Sequence, residues 1–309
     1  MRECLTFEPL YMQRVWGGRA LESAFGRPLP AASPIGESWE LVDREDAQSI
    51  INFGSWRGIT LHDLWTKHRL EIFGEGFGEP RFPLLVKILD AGEALSLQVH
   101  PPISVAGRFS GEPKTEVWYF VATKPGAGVY AGVRRGTTKA DFQSALATGA
   151  VTRLLHRLET FPDTFLFIPS GRLHAIDAGN VLFEIQQNSD TTYRVFDWDR
   201  PGLDGKPRQL HIDESLESID FDDFEPRLNS ISGEKIVQCE HFQVDRWTLQ
   251  EARRANEKPR FAVFQCLSGE VMFGNREFRP GDLFLVPASA HEGDVKPLGA
   301  TSVVLRTTV

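Results

Sequence analysis

Apolar residues recur along most of the chain in short blocks rather than at helical spacing. The segments 83–89, 95–100, 116–122, 164–169, 181–187 and 193–198 are rich in β-branched and aromatic residues, with Gly, Pro, Asp or Asn between them. Blocks of this length and punctuation predict β-strands. Helical spacing is confined to three stretches. In 60–73, Leu61, Leu64, Trp65 and Leu70 fall near one face; 139–148 and 212–219 are shorter candidates, with Thr138 or Asp213 as caps. Strands at short intervals with few helices predict a β-sandwich or barrel. Twenty-two Phe and seven Trp suit packed sheets.

A long-range echo divides the chain. The stretch from Asp163 to His174 resembles that from Gly281 to His291: an apolar strand ending in proline, then small residues, then histidine. This reads as two related β-barrel units, near 80–200 and 235–309, joined by the polar stretch 213–234. The boundary is placed at 230/231. Residues 1–230 then form the larger domain, with N-terminal strands and a helical insert, and 231–309 a smaller β domain.

Composition narrows the partners. The 309 residues are 41% hydrophobic and 25% charged, as expected of a globular protein with a sizeable core. A net charge of −8 argues against nucleic-acid binding, which needs a basic surface. A small anion held by a few Lys or Arg remains open. Cys4, Cys239 and Cys266 are far apart and form no close pair, so reduced thiols and a cytoplasmic location are expected. No signal-peptide core is evident, and apolar runs such as 283–288 are too short to span a bilayer. No interaction surface is legible, so a monomer is the default.

Four residues offer metal-ligating chemistry. Gln98 and His100 are two apart on a predicted strand and leave it on one face. Lys114, Glu116 and Trp118 share a face in the same way. His174 follows a tight turn in which Gly171 is placed to take a positive φ. Two imidazoles, a carboxylate and an amide oxygen suit one Zn²⁺ per chain, with Fe²⁺, Mn²⁺ or Co²⁺ as alternatives. A neutral fourth ligand leaves room for a substrate oxygen. Lys114, on the face of Glu116, is the best cation to stabilise a developing oxyanion there. His291 echoes His174 but has no partner ligands nearby in sequence, so the second unit is read as metal-free.

Taken in order, these segments resemble the motifs of cupin barrels. Gly92 is followed after five residues by Gln98-Val99-His100, then by Glu116, and later by Pro169-Ser170-Gly171-Arg172-Leu173-His174. Gln98 stands where a cupin usually has its first histidine, and the gap to Glu116 is longer than usual. Both features match the type I phosphomannose isomerases, in their short bacterial form. The similarity extends through Val15-Trp16-Gly17-Gly18-Arg19, Ile35-Gly36-Glu37-Ser38-Trp39-Glu40 and the run from Gln186 to Arg200. Pro102, where the family usually has Asp, and the stretch 103–113 depart from its pattern.

The resemblance implies a mainly β fold: a cupin jelly-roll (double-stranded β-helix) barrel with a second, smaller cupin-like unit and a few helices. It implies that Gln98, His100, Glu116 and His174 hold zinc. It further implies interconversion of mannose 6-phosphate and fructose 6-phosphate, by proton transfer between C2 and C1 through a cis-enediol. Arg194 falls at the family's active-site arginine, and Glu184 at a carboxylate placed near the substrate in relatives. Glu184 either shuttles the proton or holds Arg194. Water at the metal, Glu184, Lys114 with a lowered pKa and a nearby histidine all stay open as the base. Arg19, Arg172 and Arg200 are candidates for the phosphate. A non-catalytic sugar-binding or regulatory cupin, and an isomerase of another sugar phosphate, are the alternatives.

Overall fold

The computed structural model describes residues 3–30 and 33–309. The blocky apolar pattern resolves into β1 (Leu10–Gly18), β2 (Ile35–Leu41), β3 (Leu84–Ala91), β4 (Leu97–Val99), β5 (Glu116–Thr123), β6 (Gly128–Val133), β7 (Leu155–Glu159), β8 (Thr164–Ile168), β9 (His174–Ile176), β10 (Asn180–Gln187), β11 (Tyr193–Phe196) and β12 (Asn229–Ser230). They form one sheet of order β1-β2-β3-β10-β5-β8-β12 and another of order β11-β4-β9-β6-β7. Within these, β3-β10-β5-β8 and β4-β9-β6-β7 alternate along the chain, which is the winding of a jelly roll.

The same winding recurs. Further on lie β13 (Lys235–Gln238), β14 (Gln243–Leu249), β15 (Arg253–Arg254), β16 (Ala262–Ser268), β17 (Val271–Phe273), β18 (Arg276–Phe278), β19 (Leu283–Val286), β20 (Asp294–Pro297) and β21 (Ser302–Thr308). Their sheets run β13-β14-β21-β16-β19 and β15-β20-β17-β18, matching the first jelly roll strand for strand. β8 and β19 occupy equivalent places, so the sequence echo between 163–174 and 281–291 reflects equivalent strands.

Two compact units result. One comprises 11–38 and 87–230; the other comprises 1–10, 39–86 and 231–309. In the first, Trp16, Leu89, Trp118, Phe120, Leu166 and Leu182 belong to one buried cluster. Burial of each such side chain contributes about 1.5–3 kcal/mol, enough to hold polar residues beside them in fixed positions. Every residue of β3, and all but the last of β10, is buried, so both faces of these strands are covered. That places Lys87 and Glu184, which lie on them, away from water.

The second unit packs Trp247, Phe264, Phe273, Phe278 and Phe284 in its core. The Phe278 and Phe284 rings stack at 4.0 Å. The predicted helix 60–73 is two helices, Leu61–Lys67 and Arg69–Ile72, because His68 leaves helical geometry at φ −129. Thr138 caps Lys139–Ala147 with a full capping box. Asp213 is not a cap. His211 occupies that position and Asp213 lies in the first turn of Ile212–Ser218, where a carboxylate suits the helix dipole. Among the described residues, no helix is long and apolar enough to cross a membrane.

Candidate metal centre

Strand pairing brings the predicted ligands together. Gln98 on β4 lies opposite His174, the first residue of β9. Gly171, at φ 92, turns the chain ahead of β9 and donates its N–H to the His100 carbonyl at 2.8 Å. A side chain there would be strained in the left-handed region. Glu116 opens β5, which lies between β10 and β8 in its sheet.

The resulting geometry is compact. His100 Nε2 lies 3.5 Å from Glu116 Oε2, His174 Nε2 lies 3.7 Å from Oε1, and Gln98 Nε2 lies 3.2 Å from His174 Nε2. His100, Glu116 and His174 are fully buried, with ligand atoms all within 4.8 Å of one another. Each imidazole turns Nδ1 to a backbone carbonyl, His100 to Thr191 at 2.9 Å and His174 to Arg172 at 2.8 Å. A carbonyl only accepts, so Nδ1 carries the proton and the Nε2 lone pair points inward.

Two lone pairs and a carboxylate thus converge on one point. His100 Nε2 and Glu116 Oε1 are buried without a hydrogen bond, while Oε2 faces the Lys114 ammonium at 2.9 Å. Such groups are costly unless a cation satisfies them. A half-turn of the Gln98 amide brings its oxygen to the same place as a fourth donor. This N/O set fits zinc, and three strong donors with one neutral amide leave a position open.

Burial dominates the ionisation of the cluster. It holds the His174 imidazole down at about 3, with the His100 charge adding to the effect, and also lowers His100, helped by Lys114. Burial would raise Glu116, but Lys114 and His100 outweigh it and hold the carboxyl well below its usual range. Both imidazoles are therefore neutral near neutral pH and ready to bind. Two ordinary imidazoles would be half protonated at pH 6.5 and would expel about one proton on zinc uptake. Here both are lowered, so zinc uptake at pH 6.5 is expected to release distinctly less than one proton. Titration calorimetry in buffers of differing ionisation enthalpy measures this, and release near one proton would contradict it.

A cavity of about 510 Å³ reaches this centre, lined among others by Gln98, Lys114, Glu184, Arg194, Trp16 and Lys87. Lys114 Nζ stands 2.9 Å from Glu116 Oε2 and 3.8 Å from Glu184 Oε1. Burial alone would lower its pKa; the two carboxylates instead hold it above the usual value. Lys114 is thus held as a cation between the two carboxylates. Glu184 lies 3.3 Å from Lys87 Nζ and accepts from Trp118 Nε1 at 3.1 Å. Burial and the charge of Glu116 raise its pKa, against the pull of Lys114 and Lys87.

Glu184 does not hold Arg194. Arg194 lies opposite Gln98 across β11 and β4 and donates to the Gln209 carbonyl at 2.8 Å. Its Nε is buried without a partner, and no carboxylate pairs with it among the described residues. No histidine lines the cavity among the described residues, although His211 Nδ1 accepts from the Arg194 backbone N–H at 3.1 Å. None of the three arginines proposed for the phosphate lines the cavity. Arg19 pairs with Glu22, Arg172 with Asp223 at 2.7 Å, and Arg200 with Asp197 at 3.1 Å. In the second unit, His291 Nδ1 meets the Ala288 carbonyl at 2.7 Å, and no metal-binding group forms around it among the described residues.

Residues 5–123 match the catalytic domain of phosphomannose isomerase type I. Mannose-6-phosphate isomerase ManA of Bacillus subtilis is 36% identical over 299 residues, covering 92% of this chain and 93% of that protein. The chain belongs to the type I phosphomannose isomerases. A crystal structure of the mannose 6-phosphate isomerase from Bacillus subtilis superposes with a TM-score of 0.88 at 30% identity, covering 99% of each chain. A mannose 6-phosphate isomerase bound with zinc and yttrium, 18% identical with a TM-score of 0.74 over 98% of each chain, shares the fold.

Some members of this family's pocket escaped the sequence reading. Lys87 interrupts the apolar block Leu84–Ala91 and Glu37 the block Ile35–Leu41, so each carried a signal: a charge where both faces of a strand are buried. Arg14, bound to Glu37 at 2.9 Å, likewise interrupts an apolar stretch, between Leu10-Tyr11-Met12 and Val15-Trp16. Arg208 sits in polar surroundings in the sequence and reaches the cavity only through folding.

Proposed function

We infer that the protein interconverts mannose 6-phosphate and fructose 6-phosphate as a zinc-dependent aldose–ketose isomerase. The observation that carries this is the buried His100–Glu116–His174 cluster, opening onto a cavity where Glu184 stands between two lysines. We propose Gln98, His100, Glu116 and His174 as the ligands of one zinc ion. Bound there, zinc supplies a Lewis acid for the sugar's oxygen at C1 or C2.

Glu184 is the proton carrier in this reading. Its raised pKa suits a carboxylate that takes the proton from C2 of the aldose and returns it to C1, while the hydroxyl proton passes from O2 to O1, leaving the ketose. Lys114 and Arg194 provide fixed positive charge beside the enediol oxygens, in a site walled by buried strands where such charge acts strongly. Trp118 and Lys87 hold the Glu184 carboxylate in place between excursions. The working partner is a small sugar phosphate. We further propose that catalysis resides within residues 1–230, with 231–309 as a non-catalytic unit. The expected setting is the cytoplasm, in keeping with the free thiols of Cys4, Cys239 and Cys266, and the expected state is a monomer.

The deciding experiment is turnover of mannose 6-phosphate to fructose 6-phosphate by the purified protein, before and after chelation and zinc restoration. Activity that chelation removes and zinc restores is the expected result. One zinc per chain without turnover on this substrate would point instead to another sugar phosphate or to a sugar-binding role.

A further inference from the structure

Beyond β11 the chain makes an excursion, 197–211, before the helix Ile212–Ser218. It doubles back on itself: Pro201 bridges Pro207, and the Gly202 N–H donates to the Lys206 carbonyl at 2.7 Å. Its base is clamped by Asp197, which is buried. Asp197 accepts from Arg208 Nε at 2.6 Å and Nη2 at 2.5 Å, and from Arg200 Nη2 at 3.1 Å. From this excursion Gly202, Leu203, Asp204 and Arg208 line the same cavity as Gln98 and Lys114.

The charges here do not balance. Arg194, Arg200 and Arg208 surround one buried carboxylate, Asp197, while Glu93, 3.6 Å from Arg200, is largely exposed. Asp204 also lines the cavity, but its carboxylate accepts from Lys206 N in its own loop at 3.0 Å. Asp190, a further lining residue, acts on Lys114. Arg208 spends the Nε and Nη2 edge of its guanidinium on Asp197, and Nη1 has no hydrogen-bond partner among the described residues. A guanidinium oriented on one edge by a carboxylate, with its other donors open to a cavity, is built to receive a second planar or tetrahedral anion. Register gives the direction: Arg194 lies opposite Gln98, and its Nη1 reaches Gln209, the residue after Arg208. Arg208 therefore stands alongside Arg194 on the cavity wall.

We propose that Arg208 is a substrate-binding residue that grips the phosphate of the sugar phosphate, with Asp197 as its positioning carboxylate. This rests on the isomerase reading above. The test compares wild type with Arg208→Met, both zinc-loaded, by titration calorimetry with inorganic phosphate and by kinetics with mannose 6-phosphate. Loss of a charge-assisted contact predicts about tenfold weaker phosphate binding and about a tenfold higher KM. Arg208→Lys, which keeps the charge without the bidentate hold on Asp197, is expected to fall between the two. It also serves as the test should Arg208→Met not fold. Asp197→Asn should raise KM more than it lowers kcat. Phosphate affinity and KM unchanged in either Arg208 variant would overturn the proposal and leave Arg208 a strut for Asp197. Phosphate binding that depends on Arg208, in a protein with no isomerase turnover, would support the subsite while overturning the isomerase reading.

Discussion

His174→Ala is expected to abolish zinc retention under dialysis and to lower turnover by roughly a thousandfold or more. The scale follows from the several kcal/mol a Lewis acid contributes, each 1.36 kcal/mol being tenfold in rate. His174 is not replaceable by its surroundings. It is fully buried, its Nδ1 is tied to the Arg172 carbonyl, and its Nε2 is one of only two imidazole lone pairs at the centre. Removing it leaves His100 and Glu116 with a neutral amide, a weak set for a divalent ion. Zinc content by elemental analysis and rate in the same preparation check the prediction. Turnover near wild type with one zinc per chain would remove His174 from the ligand set.

Glu184→Gln is expected to behave differently: zinc stays bound while kcat falls by about 10²–10⁴, the usual worth of a positioned general base. The exchange is nearly isosteric, and the Gln oxygen can still accept from Trp118 Nε1. Lys114 keeps Glu116 as a partner at 2.9 Å, so the buried lysine is not stranded. The pH profile adds an independent reading. Burial and Glu116 raise the Glu184 pKa. A base works only when deprotonated, so kcat/KM should fall as pH drops through that raised value, above the ordinary carboxylate range. The acid limb should disappear in Glu184→Gln. Near-normal rates in this variant, or an unchanged acid limb, would take the proton-carrying role away from Glu184.

The contrast between these two residues shows how the site was encoded. Candidate site residues at strand spacing were visible because spacing alone sets their direction: Gln98 and His100, or Lys114 and Glu116, two apart, share a face in extended chain. Gly171 before His174 was legible for a similar local reason, a turn that only glycine makes without strain. The second jelly roll was legible as an echo, because a strand ending in proline must stop pairing at the same place in each copy. Caps divided on subtler ground. Thr138 precedes a helix that starts cleanly, whereas the chain entering Ile212–Ser218 places the cap at His211, two positions before Asp213.

What spacing could not convey was which charges would meet. Lys87 and Glu184 are 97 positions apart, on β3 and β10, and become partners only because those strands are neighbours in the sheet. The same closure sets the ionisation of Lys114, whose pKa rises rather than falls because two carboxylates from separate strands outweigh its burial. Arg208 is the extreme case: nothing in its neighbourhood marks it, and its place on the cavity wall depends on a loop folding back onto Asp197. By itself the sequence determined the apolar strands it marked, the candidate ligand types and the turn that presents His174, since each follows from dihedral preference and side-chain direction within a few residues. Pairing of charges and the protonation each group holds were decided by the tertiary structure, because electrostatic energy in a buried site depends on distances between strands that the chain brings together only when it closes.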